Sequence, residues 1–279
     1  MKYIAHLLTD NEYLQHTEAY SKKYFITKNR DLVDLHQKGV VIKSKDFDSI
    51  WSELKEVIWR KQGMRCCICE TDFTITHSTD VEHYRPKVQY WWLAYNYENY
   101  YLACAECNRK YKRVEFPLFD ENKRVNYRLR KNIKTEQPLL INPLFDNPLD
   151  YFKIHFKTSS NSNKNIIALL PKEKTSNRNN YNYQKAQKSI DIYNLDLSKY
   201  SFTRHEILRK FFNKLIKVAV YRYVFRNDNS KFKEFYRDFI SDEDRKELHS
   251  LGLMKMVLKG QFVITPYILN DYKRQYKLK

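Results

Sequence analysis

Two knuckles of identical spacing, Cys66-x-x-Cys69 and Cys104-x-x-Cys107, are the least ambiguous chemistry in the chain. Two thiolates set two residues apart grip one side of a tetrahedral ion. A second such pair closes the shell and leaves no open position, the ligand set of a structural zinc. With only five cysteines present, a doubled knuckle argues against unrelated buried thiols or a redox pair. Cys67 is left over. The turn Cys67-Ile68-Cys69 is too short for it to replace Cys66, and it reads as a small, partly buried thiol. Between the knuckles lie Glu82, His83 and Asn99, and Asn108 follows the last cysteine directly. A carboxylate and an amide oxygen are hard ligands that suit magnesium or manganese. An imidazole, with its ordinary pKa of about 6.5, is a credible general base near neutrality. An ion, a base and a basic surface together make phosphodiester hydrolysis the natural reaction.

The elements that must position these groups are short. Residues 80–84 read as a strand ending at Pro86, since proline stops a ladder. Residues 100–103 read as a second strand running into the second knuckle, and Asn108 opens a helix. This is a zinc-clasped ββα-metal finger, with Glu82, His83 and Asn108 held around one point. Neighbours on a regular strand face opposite sides. Glu82 and His83 therefore converge only if the strand bends or the phosphate sits at its end.

Glu82-His83-x-x-Pro86, Asn99 and Cys107-Asn108 resemble the three motif positions of an HNH endonuclease, with asparagine for the last histidine. His83-Tyr84-Arg85-Pro86-Lys87, Trp92-Leu93-Ala94-Tyr95, Glu98-Asn99, Cys104-x-x-Cys107-Asn108-Arg109 and Phe116-Pro117-Leu118 narrow the resemblance to the PtuB-type HNH nucleases of Septu anti-phage systems and of some retrons. Pro138-Leu139-Leu140-Ile141-Asn142-Pro143 and Asp146-Asn147-Pro148 fit a second block of that family. The resemblance is strong over residues 65–156, looser to about 205, and absent at both ends. It implies that His83 activates water, that Glu82 and Asn108 bind a catalytic Mg2+ or Mn2+, and that Asn99 pins the loop which aims the imidazole. It also implies a PtuA-like ATPase as partner, and a role in phage defence.

The chain has 279 residues and a formal charge of +18, from 51 Lys and Arg against 33 Asp and Glu. So basic a chain is drawn to polyanions, nucleic acid first, and DNA is expected before RNA. Arg85, Lys87, Arg109, Lys110 and Lys112 flank the motifs and are read as phosphate contacts, which position a strand without reading its sequence. The aromatic run at residues 90–95 either packs the loop or stacks on bases. None of the four glycines lies in a phosphate-cradling frame, so any ATP is bound by another subunit. No secretory core opens the chain, no segment reads as membrane-spanning, and reduced metal-binding thiols fit the cytoplasm.

The fold class expected is α+β, a zinc-stabilised ββα-metal (HNH) finger embedded in a largely helical protein. Four regions are read: an N-terminal helical region (1–63), the finger (64–118), a basic mixed α/β extension (119–199) and a C-terminal helical region (200–279). Phe47, Ile50, Trp51, Leu54, Val57 and Ile58 predict one helix from Asp46 to Gly63. A helix over residues 10–24 is weaker, and residues 33–43 read as helix then strand without a decision. Strands are expected at 151–156 and 165–170 around a polar loop, and helices over 201–225 and 232–251. The last region is either a buttress or a docking surface. The rival to a nuclease is a non-catalytic zinc-finger binding or adaptor module, which has no use for Glu82, His83 and Asn108 together.

Overall fold

The computed structural model describes residues 22–71, 80–158, 165–173 and 179–196, with Met1, Tyr200, Ser230, Phe262 and Val263. The helices read over residues 201–225 and 232–251, all but the first residue of the loop read over 158–163 and most of the helix read over 10–24 lie outside the described residues. The architecture mixes helices with two small sheets, an α+β arrangement. The residues group into two units, Met1–Tyr151 with Pro171–Asn194, and Phe152–Leu170 with Leu195–Lys279. Among the described residues no helix is long and apolar enough to cross a membrane.

In the first unit, α1 spans Lys22–Gln37 and buries Phe25 and Leu32. Residues 40–43, for which a strand was one expectation, run as irregular chain. The single helix expected from Asp46 is instead three pieces: 3-10 turns at Ser44–Asp46 and Ile50–Leu54, then α2 over Lys55–Lys61. The apolar stripe still faces inward, with Leu54 and Ile58 fully buried. The tighter 3-10 winding brings Ile50, Trp51 and Leu54 onto the core without a full α turn. Gly63 ends the segment at φ 68°, where glycine pays no steric cost, and Met64 follows at φ 60°.

Strand β1 (Asp80–His83) pairs antiparallel with β2 (Tyr100–Ala103), Glu82 opposite Tyr101 and His83 opposite Tyr100. The chain then enters a π-helix, Glu106–Lys112, two residues earlier than the helix expected from Asn108. Its wider ring is marked by the Arg113 N–H donating to the Asn108 carbonyl five residues back, at 2.8 Å. Helix α3 is short, Pro148–Tyr151. Helix α4, Tyr181–Tyr193, begins at the end of the asparagine-rich stretch 175–182, which reads from sequence as a loop or a helix entry; the body of the helix was not read, although both its caps were there. Asn180 accepts from the N–H groups of Asn182 and Tyr183, and Asn194 closes the helix in the left-handed region at φ 51°. From α4, Ser189 accepts the Ile141 N–H at 2.9 Å and Lys185 pairs with Asp146 at 2.7 Å, which fixes the proline-rich block at residues 138–148.

In the second unit, β3 (Phe152–Thr158) lies between β4 (Asn165–Pro171) and the two-residue β5 (Phe262–Val263), which runs parallel to it. The pairing of residues 151–156 with 165–170 is thus as expected.

Gln62, fully buried, joins α2 to β2. Its Oε1 accepts the Leu102 N–H at 2.7 Å, and its Nε2 donates to the Leu102 carbonyl at 3.0 Å. The Leu102 carbonyl also accepts from Cys67, at 3.4 Å, so the N–H is the group with more to lose. Gln62→Leu is therefore expected to cost about 1–3 kcal/mol for one stranded buried donor, read as a lower denaturation midpoint at unchanged slope. An unchanged midpoint would mean that Leu102 finds another partner.

Candidate metal centre and cleft

The two knuckles meet. The Sγ atoms of Cys66, Cys69, Cys104 and Cys107 all lie within 4.8 Å of one another, with Cys69 and Cys104 at 3.8 Å. Zinc–sulfur bonds of about 2.3 Å in a tetrahedron place sulfurs about 3.8 Å apart, so this cluster can hold a metal such as zinc. Hydrogen bonding to Cys104 holds the Cys69 thiol below its ordinary range, and bonding to Cys107 does the same for Cys104. Burial pushes Cys66 and Cys67 up. Cys67 is buried outside the cluster.

The clasp sets the strands that carry the candidate residues. Side chains of β1 alternate, as pleating requires. His83 faces Trp51 (ring centroids 4.7 Å apart, edge-on) and Tyr100 (5.0 Å). Its Nε2 lies 3.0 Å from the Ala94 carbonyl oxygen, which can only accept. The proton therefore sits on Nε2, and Nδ1 carries the lone pair. Burial pushes the imidazole down to about 3, against the opposing effect of the Ala94 bond, so the ring is neutral at neutral pH.

Glu82 and Asp80 face the other way, toward the π-helix. Glu82 is 6% exposed and is ion-paired with Lys112, which also donates to the His83 carbonyl at 3.0 Å. Burial pushes the Glu82 carboxyl up, opposed by the Lys112 charge. Asp80 takes a two-pronged grip from Arg109, at 2.6 and 2.9 Å, and accepts from Asn108 Nδ2 at 3.3 Å. That bond leaves the Asn108 Oδ1 as the acceptor atom of its amide.

These opposed faces nonetheless share one cleft, of about 860 Å³, whose lining includes Asp80, Glu82, His83 and Asn108. Lys55, Lys87 and Arg113 line it as cations. Lys87 stands over the Trp51 ring, 4.6 Å from its centroid. Asp80 and Lys55 were not singled out from the sequence, whereas Arg113 belongs to the basic run over residues 109–134, which reads as tracking a nucleic-acid backbone; only the two-residue step from Asp80 to Glu82 on a strand could have drawn attention to Asp80. Arg113 holds φ at 51° at the end of the π-helix, an uncommon backbone state at the cleft wall.

The remaining expected residues fall elsewhere. Asn99 is buried outside the cleft lining and binds the loop after β1: its Oδ1 accepts the Arg85 N–H at 2.8 Å, and its Nδ2 donates to the carbonyls of Arg85 (3.0 Å) and Leu93 (3.4 Å). Lys112 and Arg85, expected on a basic surface, are inside. Lys112 is fully buried against Glu82. Arg85 pairs with buried Glu136 and lies over the rings of Tyr90 and Phe116. In both cases a carboxylate neutralises the cation and draws it in. Lys110 and Arg109 are exposed.

With this geometry in hand, comparison with known proteins adds one match. The chain is 26% identical over 234 residues to the Septu protein PtuB of Bacillus mycoides (strain KBAB4), covering 70% of this chain and 76% of that one. This is a PtuB-like protein. No protein-family model matches the PtuB-like chain, and no solved structure does.

The buried Glu82–Lys112 pair is the feature whose loss is easiest to read. Lys112→Met leaves a buried carboxylate without its cation and is expected to cost about 3–5 kcal/mol. Adding Glu82→Gln should return most of that loss, as measured by a double-mutant cycle of unfolding free energies. A cost below about 0.5 kcal/mol, as for a surface lysine, would contradict the burial.

Proposed function

We propose that this PtuB-like protein is a metal-dependent HNH endonuclease, its finger formed by β1, β2 and the π-helix around a four-cysteine zinc. The observation that carries this reading is the shared cleft. Glu82, His83 and Asn108 line it together, and the His83 ring is neutral with Nδ1 as its basic atom. The donor set fits a hard divalent ion: the Glu82 carboxylate and the Asn108 Oδ1 would hold Mg2+ or Mn2+, with Asp80 beside them. When bound, such an ion polarises the phosphoryl oxygen and stabilises the leaving oxygen.

The chain's own residues do the rest. The Nε2–H is tied to the Ala94 carbonyl, which stops the ring from turning, and Nδ1 takes the proton from the attacking water. Trp51 and Tyr100 wall the ring against rotation and solvent. Asn99 fastens the loop that presents Ala94. Lys55, Lys87 and Arg113 face the phosphates, while Lys110 and Arg109 extend the basic surface toward the strand. The substrate is nucleic acid, DNA before RNA. By analogy with the Septu protein, the setting is phage defence, and an ATPase subunit supplies the nucleotide-binding site for which this chain has no glycine frame. A non-catalytic zinc-finger module would account for the knuckles and charge but not for a buried neutral imidazole beside two carboxylates in a cleft.

The test is incubation of the purified chain, alone and with its partner ATPase, with plasmid and total RNA in manganese or EDTA. Cleavage is expected in manganese only, and His83→Gln, which can still donate to the Ala94 carbonyl, is expected to lose at least about a hundredfold in rate. Unimpaired cutting by that variant would remove His83 from the chemistry. For the clasp, Cys104→Ser is expected to lose zinc by elemental analysis and helical signal by circular dichroism together. Retained fold without zinc would make the cluster dispensable.

A further inference from the structure

A second cleft, of about 500 Å³, shares Gln89 with the first. Its walls are aromatic and cationic. Trp91 and Tyr127 lie with ring centroids 4.6 Å apart at 34°, and His36 closes on the two at 4.9 and 5.3 Å. The Trp92 indole N–H, in the same wall, is buried and meets no acceptor among the described residues. Arg128 is exposed at the rim, and the Arg130 guanidinium lies 4.2 Å over the Tyr127 ring. No carboxylate lines this cleft, and of its two lining arginines Arg124 is ion-paired with Glu121 while Arg128 has no such pair among the described residues.

Packing accounts for rings against rings, but not for the rest. Arg128 stands exposed at the rim with no ion pair among the described residues, which filling a core does not require. Planar faces and a free guanidinium at Arg128 are together complementary to a heterocycle carrying a phosphate. The shared Gln89, and Val88 beside it at 42% exposure, make the step from one cleft to the other short.

We propose that the cleft between His36, Trp91, Trp92, Tyr127 and Arg128 is a nucleotide subsite that takes one unpaired base of the strand lying in the His83 cleft. Arg128 faces the adjoining phosphate, and the base stacks on Tyr127 and His36, the rings of the wall that are not buried. Assigning a strand as the source rests on the nuclease reading; the subsite's affinity for a nucleotide does not. One consequence is a preference for single-stranded or locally unpaired substrate near the cut.

The experiment uses the full chain with His83→Ala, so that substrate is not consumed. Short single-stranded oligonucleotides carry one abasic position, walked along the strand, and affinity is read by fluorescence anisotropy. In parallel, adenosine monophosphate is titrated against the indole fluorescence. One abasic position is expected to weaken binding about tenfold, with the others near neutral. Tyr127→Leu with Arg128→Ala should abolish that dependence, and Arg128→Ala alone, at an exposed position, should reduce it with the circular dichroism unchanged. Quenching by the mononucleotide that the double variant loses supports the subsite even if no oligonucleotide binds and no cleavage is seen, in which case the nuclease reading fails separately. Uniform affinity along the strand together with no quenching overturns the proposal. So does a position dependence that survives the double variant.

Discussion

Four sulfur atoms gathered within 4.8 Å bring the turn after α2 to the junction of β2 and the π-helix, and a metal held among them would fix everything in the candidate site. A two-stranded ribbon with four residues per strand does not hold itself together in water. A metal gripped by Cys104 and Cys107 would fix the end of β2 and with it the register against β1. That register puts Tyr100 opposite His83 and Tyr101 opposite Glu82. Because Asn108 is the next residue after Cys107, its place would be set by the same metal. The two ions of the reading thus have unequal duties: one would fix coordinates, the other would act at them.

Strand pleating separates Glu82 from His83, and each face answers with its own surroundings. On the π-helix side the environment is ionic, with Lys112 against Glu82 and Arg109 against Asp80. On the Trp51 side it is aromatic and dry, and there the imidazole loses its proton to burial. Two adjacent residues are thereby held in opposite states, one a carboxylate facing a cation and one a neutral base. The cleft wraps the strand so that both faces open onto it.

Much of this was legible in the chain because it is local. Knuckle spacing gave the cluster, Pro86 the end of β1, Gly63 the stop after α2, and the apolar stripe from Phe47 to Ile58 its inward face. What escaped depends on partners far away in sequence. Lys112 and Arg85 look like surface cations in a basic run, and only Glu82 and Glu136, thirty and fifty-one residues off, turn them inward. The division of one expected helix into 3-10 and α segments escaped because periodicity at three- and four-residue steps suits both windings. Helix α4 was passed over because an asparagine-rich approach hid a sound cap at Asn180. Lys55 reaches the cleft wall from α2, a segment that only the tertiary fold brings beside the basic run carrying Arg113.

Gln62 has a bearing beyond the contact it makes. The backbone groups of Leu102 that it satisfies are those turned away from β1, along the rim where a further strand would dock. An open rim on a short ribbon invites pairing with a second molecule. Here a single side-chain amide mimics the missing neighbour, and the Cys67 N–H reinforces it on the same carbonyl. At Leu102 the rim of the ribbon is therefore closed to a further strand.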